Sequence, residues 1–413
     1  MVAVLAAAVL VLLLVPALIL LGRDDADELS AATTTTTSTT VASTTTTEAS
    51  TSTTASSSGS GTTTMGGSVD AAIAEGSAFV AERRGLAFTE PVPGVRLPDE
   101  EFEARIRDEA MADLGAIEAA GNRLKLLGVI APDVDYVELY LREYPTLVGA
   151  QFDPVAKRVV MRGEPGTPVS PQLQEELAHE LTHALDYQVF DLYDRVYTDP
   201  STEQQFGLEA LKEGDAVRIQ QAWVEAHGLV PVDPTLDSDN VVSSDFSATY
   251  VLGLALVDDI VVRGGEAALN AAFDDPPTTS EQVLHPEKFA VREPVVPLDE
   301  PPADGTLLWA GVTGEYTTGQ MLGAVLPDDW ADSAAAGWGN DKGVVWMQSP
   351  DEGGLTCLRI AYAMDTAVDL DELEDAFLVW AQEGENRVVG RQGDTLIVQS
   401  CEPVPPPPGS SRL

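Results

Sequence analysis

Ser170-Pro171-Gln172-Leu173-Gln174-Glu175-Glu176-Leu177-Ala178-His179-Glu180-Leu181-Thr182-His183-Ala184-Leu185-Asp186-Tyr187-Gln188-Val189-Phe190 is the stretch around which the rest of the chain can be ordered. Serine at an N-cap accepts a hydrogen bond from a first-turn amide, and proline suits the first helical position, where a missing N–H costs nothing. The segment therefore reads as a helix reaching about Phe190. Leu173, Leu177, Leu181 and Leu185 recur every four residues and form one stripe for the core. His179 and His183 are also four apart, about 200° around the helix from that stripe. Two imidazoles so placed converge on one ion. Glu180 stands beside them, where a carboxylate can take a proton from a metal-activated water.

This is the His-Glu-x-x-His pattern of zinc peptidases. A catalytic zinc takes three protein ligands and leaves a fourth position open. A second helical stretch, about Thr202 to Ala226, holds Leu211-Lys212-Glu213-Gly214-Asp215-Ala216. Glu213 follows His183 by 30 positions, enough for a loop and a helix returning antiparallel. Among 67 acidic residues a helix carboxylate is ordinary, and only its place opposite the histidines makes Glu213 the expected third ligand. Glu209 and Asp215 are weaker candidates for ligands or their supports. Immediately before the histidine helix, Leu147–Phe152 and Arg158–Met161 read as a hairpin turning at Asp153-Pro154. Its edge strand is suited to pair with an extended substrate.

The run Glu180-Leu181-Thr182-His183-Ala184-Leu185, followed by Glu213-Gly214-Asp215-Ala216, resembles the gluzincin-type zinc metallopeptidases. More narrowly it is similar to a group of poorly characterised prokaryotic surface proteins with a Glu-Gly-Asp-Ala helix after the His-Glu-x-x-His helix. Arg84-Gly85-Leu86-Ala87-Phe88 and Pro276–Phe289, with its Glu281-Gln282-Val283-Leu284-His285-Pro286, extend the likeness over roughly residues 70–300. The resemblance implies His179, His183 and Glu213 as zinc ligands and Glu180 as general base. It implies no substrate. The chain departs from the group at Asp186-Tyr187, where Gln-Asp is expected. Such a mechanism needs a further donor for the oxyanion, and Tyr250 and His285 are the candidates. Pro286 biases His285 towards an extended or turn geometry and disfavours a continuing helix. His227, at a helix end before a glycine, is expected to cap that end.

Towards the N-terminus, helical stretches are expected at 70–84, about 98–127 and 133–144, the last capped by Asp133. Met1–Leu21 carries no charged side chain and is long enough to span a bilayer, so residues 1–22 read as a transmembrane anchor or a signal segment. Residues 23–69 are a Thr/Ser-rich stalk, too poor in apolar side chains to offset the entropy of ordering. Together they place the body outside the cytoplasm, at the membrane surface. With 23 basic against 67 acidic residues the formal charge is −44, which disfavours nucleic acid as a partner. Polypeptides or cell-wall peptides are the expected substrates.

Beyond residue 302 the pattern changes. A weak helix over Gly319–Ala336, a hairpin of Val344–Met347 and Thr356–Ala361, a helix from Leu370 to Ala381 and a hairpin of Arg387–Val389 and Thr395–Gln399 form a small module over 303–402. A proline-rich tail occupies 403–413. Cys357 and Cys401 are the only cysteines, neither has a Cys-x-x-Cys partner, and an oxidising compartment would join them. The expected fold is α+β: a mainly helical zincin-like domain over 70–302, with a β-hairpin before the histidine helix, plus the small C-terminal α+β module. The alternatives to a peptidase are a catalytically silent zinc-containing surface module and a zinc amidase acting on cell-wall peptides.

Overall fold

The computed structural model describes residues 68–192, 202–230, 234–236, 240–349 and 354–403. The expected membrane segment, nearly all of the stalk and most of the proline tail lie outside them. The described residues belong to one compact unit. Among them, no helix is long and apolar enough to cross a membrane. The architecture is mixed α+β and mainly helical, with one three-stranded and one five-stranded sheet.

Helix α1 (Val69–Arg84) starts where Ser68 accepts from the Ala71 N–H and stops at Gly85, whose φ of 63° suits glycine. Strand β1 (Gly94–Leu97) follows, then α2 (Asp99–Ala112) and α3 (Leu114–Leu127). The single helical stretch expected over 98–127 is thus broken at Asp113. Helix α4 (Tyr136–Leu147) is capped by Asp135, whose side chain accepts from the Glu138 N–H at 3.0 Å, and not by Asp133. It runs through Pro145, so Leu147 ends a helix and does not begin a strand.

The expected hairpin is present as β2 (Ala150–Asp153) and β3 (Arg158–Arg162), paired antiparallel. Asp153 shapes its turn by accepting from the Val155 and Ala156 N–H groups. β1 pairs parallel on the far side of β3, in the order β1-β3-β2, so β2 is the edge. Helix α5 (Pro171–Phe190) lies against this sheet and α1. Its leucine stripe packs with Ala72, Val80, Phe152 and Val159 in one apolar cluster.

Helices α6 (Thr202–Ala226) and α7 (Val241–Asp274) complete the helical body. α7 bends at Gly265, where φ is 65°. Glycines bring α6 and α7 into backbone contact. A Cβ on Gly214 would lie 2.1 Å from the Gly253 carbonyl oxygen, and one on Gly253 would lie 2.0 Å from that of Ala210. Two short helices, α8 (Ser280–Leu284) and α9 (Pro286–Val291), lead to the C-terminal sheet.

That sheet has the order β4-β5-β6-β8-β7, from Thr306–Gly311, Trp338–Met347, Thr356–Met364, Thr395–Cys401 and Arg387–Gln392. The weak helix expected at 319–336 is two helices, α10 (Gly314–Gly323) and α11 (Asp328–Ala335), with Pro327 at the start of the second. α12 (Ala367–Gln382) opens on a capping box of Thr366 and Asp369. Its Phe377 and Trp380 share a core with Leu126 and Leu127 of α3, and the Trp380 indole donates to the Leu127 carbonyl at 3.0 Å. Cys357 and Cys401 face each other on β6 and β8 and form a disulfide.

Candidate metal centre

Ser170 caps α5 as its sequence requires, accepting from the Leu173 N–H at 3.2 Å, with Pro171 in the first turn. The helix is buried on both sides. Its leucines face the sheet and α1, while its histidines face α6. The facing pairs run in opposite order along the two helices: His179 with Gln220, His183 with Glu213, and Tyr187 with Lys212. α6 is therefore antiparallel to α5, which returns Glu213 to the histidines.

His179 Nε2 lies 3.1 Å from Glu213 Oε2 and 3.1 Å from His183 Nε2, and His183 Nε2 lies 3.4 Å from Glu213 Oε1. His179, Glu180 and Glu213 have no exposed surface and His183 is 5% exposed. These three ligand-type side chains could hold a metal ion. The chemistry of the donors fits one. His179 Nδ1 meets Gln220 Oε1 at 3.2 Å, and since an amide oxygen only accepts, Nδ1 carries the proton. His179 Nε2 is then left with a lone pair, aimed at a carboxylate oxygen and at a second imidazole nitrogen. Burial lowers the pKa of His183, against the pull of Glu213, and favours the neutral ligand form. Donors about 2.0–2.1 Å from a tetrahedral ion would stand about 3.3–3.4 Å apart, close to the spacing seen.

Glu180 is not one of these three converging donors. Its Oε2 accepts from the Phe152 N–H, on the edge strand β2, at 2.6 Å. Tyr250, on α7, stacks on the His179 ring at 5.6 Å and 11°. Its phenol is hydrogen-bonded to Glu213, and burial first, then Glu213 and Glu180, push it well above its usual pKa. It is a protonated donor at the site. His285 is not brought there. Its backbone, at φ −124° and ψ 81°, leaves the helix before Pro286, and its Nε2 bonds Glu315 Oε1 at 2.8 Å, joining the α8–α9 junction to α10. Glu209 is held by Lys212 at 2.8 Å, and Asp215 by Arg84 and Arg218, so neither weaker ligand candidate reaches the triangle. His227 bonds the Trp223 carbonyl at 2.8 Å and caps α6 as expected.

Three features of the site are not evident from sequence reading. Gln220 orients His179. It sits seven residues after Glu213, two turns along the same face of α6, and that spacing is the available signal. Tyr136, Tyr140 and Tyr144 form a ladder along α4, with Tyr140 and Tyr144 stacked at 5.1 Å. Phe246 links Tyr144 to Tyr250, so the ladder ends on the metal-site wall. Its i, i+4, i+8 spacing is legible, but it equally describes ordinary core. The third is Arg84, which the sequence marks only as a helix end opening the Arg84-Gly85-Leu86-Ala87-Phe88 segment. Comparison of the chain with family models, with curated proteins and with solved structures finds no match.

Proposed function

We propose that the chain is a zinc-dependent metallopeptidase of gluzincin type, carried outside the cytoplasm on an N-terminal membrane segment. The observation that carries this reading is the buried convergence of three electron-pair donors, His179 Nε2, His183 Nε2 and a Glu213 oxygen. Three ligand-type groups closed off from water and within 3.4 Å of one another form an arrangement that a cation would satisfy. Structural zinc sites are typically closed by four ligands and rich in cysteine, whereas three ligands of His and Glu type with an unligated Glu beside them suit catalysis.

When bound, zinc supplies Lewis acidity and a water whose pKa falls towards about 7. Glu180 takes a proton from the attacking water and returns it to the leaving amine. In the resting site the Phe152 N–H holds that carboxylate in place. Tyr250, kept protonated by its surroundings, is the donor on hand for the developing oxyanion, and the position of His285 does not support that role. β2 offers a strand edge beside the metal helix for an extended peptide. Hydrolysis of cell-wall peptide amides would use the same groups, and substrate assays separate the two.

The test is metal analysis of the full chain together with its Glu213→Ala and His183→Ala variants. The wild type should carry about one zinc per chain and each variant close to none. Stoichiometric zinc in both variants would remove the site. Zinc retained by a wild type that cleaves neither proteins nor cell-wall fragments would favour the silent surface module.

A further inference from the structure

Arg84 is 1% exposed and lies where four helices meet. It is the last residue of α1. Its Nε is 2.6 Å from Asp215 on α6, its Nη2 is 3.9 Å from Asp186 on α5, and its Nη1 pairs with Glu266 on α7. Asn270, also on α7, accepts from Nη2 at 3.0 Å. Arg218 closes the cluster through Asp215 at 3.0 Å and Glu266 at 2.9 Å. Burial works against the charge on Arg84, but Asp215, Asp186 and Glu266 outweigh it.

The acids that Arg84 holds are close in sequence to the metal-site residues. Asp186 is three residues after His183, and Asp215 is two after Glu213. Successive helix residues point about 100° apart. Glu213, Gly214 and Asp215 thus face three ways, and each way is occupied: Glu213 meets the histidines, Gly214 meets the Gly253 backbone, and Asp215 meets Arg84. A rotation of α6 that moved Glu213 would break the glycine contact and the ion pair together.

We propose that Arg84 is a positioning residue for the metal centre, setting through Asp215 the rotation of α6 that aims Glu213. The proposal rests on reading the triangle of donors as a metal site. A buried ion cluster kept for stability alone has little to recommend it, since apolar side chains of the same volume often serve as well or better. A planar fork that reaches several helices at once fixes orientation, which a point charge does not.

Zinc affinity of the full chain, measured by competition with a chromophoric chelator, and the visible spectrum of the cobalt(II)-loaded chain test this. Arg84→Gln should weaken zinc about 10- to 100-fold and shift the cobalt spectrum. Arg84→Lys should fall between it and the wild type, keeping charge without the fork. If Arg84→Gln does not fold, the isosteric Asp215→Asn carries the same expectation at about 10-fold. Wild-type affinity and spectrum in a folded Arg84→Gln, or in Asp215→Asn, overturn the proposal, because a merely structural arginine would lower the melting temperature and leave both unchanged. A wild-type chain that binds no zinc instead defeats the metal reading, and this one with it.

Discussion

Around α5 and α6 the interior holds Arg84, His179, Glu180, His183, Asp186, Lys212, Glu213 and Asp215, each no more than 6% exposed. Between the C-terminal sheet and α12 it holds Trp338, Leu358, Ile360, Phe377 and Trp380, each no more than 2% exposed and all in one apolar cluster. The acid buried beside it has its hydrogen bonds supplied. Asp341 accepts from the Thr313 and Gly314 amides at 2.7 Å and from the Trp338 indole at 2.9 Å. The apolar core gains from area removed from water, without regard to direction. The ionic interior must spend desolvation energy on every group and regain it through aimed contacts. That contrast separates a region shaped by stability from one shaped by geometry.

The comparison can be broken at its strongest point first. Glu180→Gln should keep zinc, because that carboxylate is not among the three converging ligands, yet lose peptide hydrolysis by about 10²–10⁴-fold. Undiminished turnover would end its role as base. The converse lies in the other region. Phe377→Ala, at a fully buried position of the apolar core, should cost about 3–5 kcal/mol in denaturant unfolding. It should leave the metal content of the folded fraction unchanged, and loss of zinc there would tie the two regions together.

The smallest effect sharpens the boundary between them. His285 and Glu315 join the helical body to α10, and the hydrogen bond that His285 donates to Glu315, against burial, raises the pKa of His285. A pKa raised on folding gives stability that is complete below the unfolded value, about 6.5, and disappears as the pH rises through the folded one. After discounting for solvent, the pair is worth about 0.5 kcal/mol. His285→Gln should therefore lower the melting temperature slightly at pH 5.5 and not at pH 8.5, with hydrolysis unaffected at either. A large fall in kcat would return His285 to the reacting groups.

The parts of this arrangement that could be read from the sequence are those fixed locally. Ser170-Pro171 sets where α5 begins, the i, i+4 histidines set what faces α6, and Asp153 marks the hairpin turn. Glu213 was legible only because the loop before it leaves room for an antiparallel return. What escaped is set by tertiary contact. Arg83 and Arg84 are adjacent and chemically identical, yet Arg83 lies over the Phe79 ring while Arg84 is buried among acids from three other helices. Nothing local distinguishes them. β1 is four residues long between prolines and exists only by pairing with β3, 65 positions away at Gly94↔Val159 and beyond. Asp135 displaced Asp133 as the cap because the first turn of α4 is placed by Tyr136 packing into the core.

The closure of the centre has a consequence for time as well as for geometry. With His179 and Glu213 wholly covered and His183 nearly so, the three side chains that would hold an ion are shut off from solvent, and a chelator must work through the position left for water and substrate. Freeing an ion would require those buried side chains to let go, so its departure would be slow, helped by local opening of the helices and faster on warming. Brief exposure to a chelator near room temperature would then leave a loaded protein looking indifferent to metal removal, while long incubation or gentle warming would strip it.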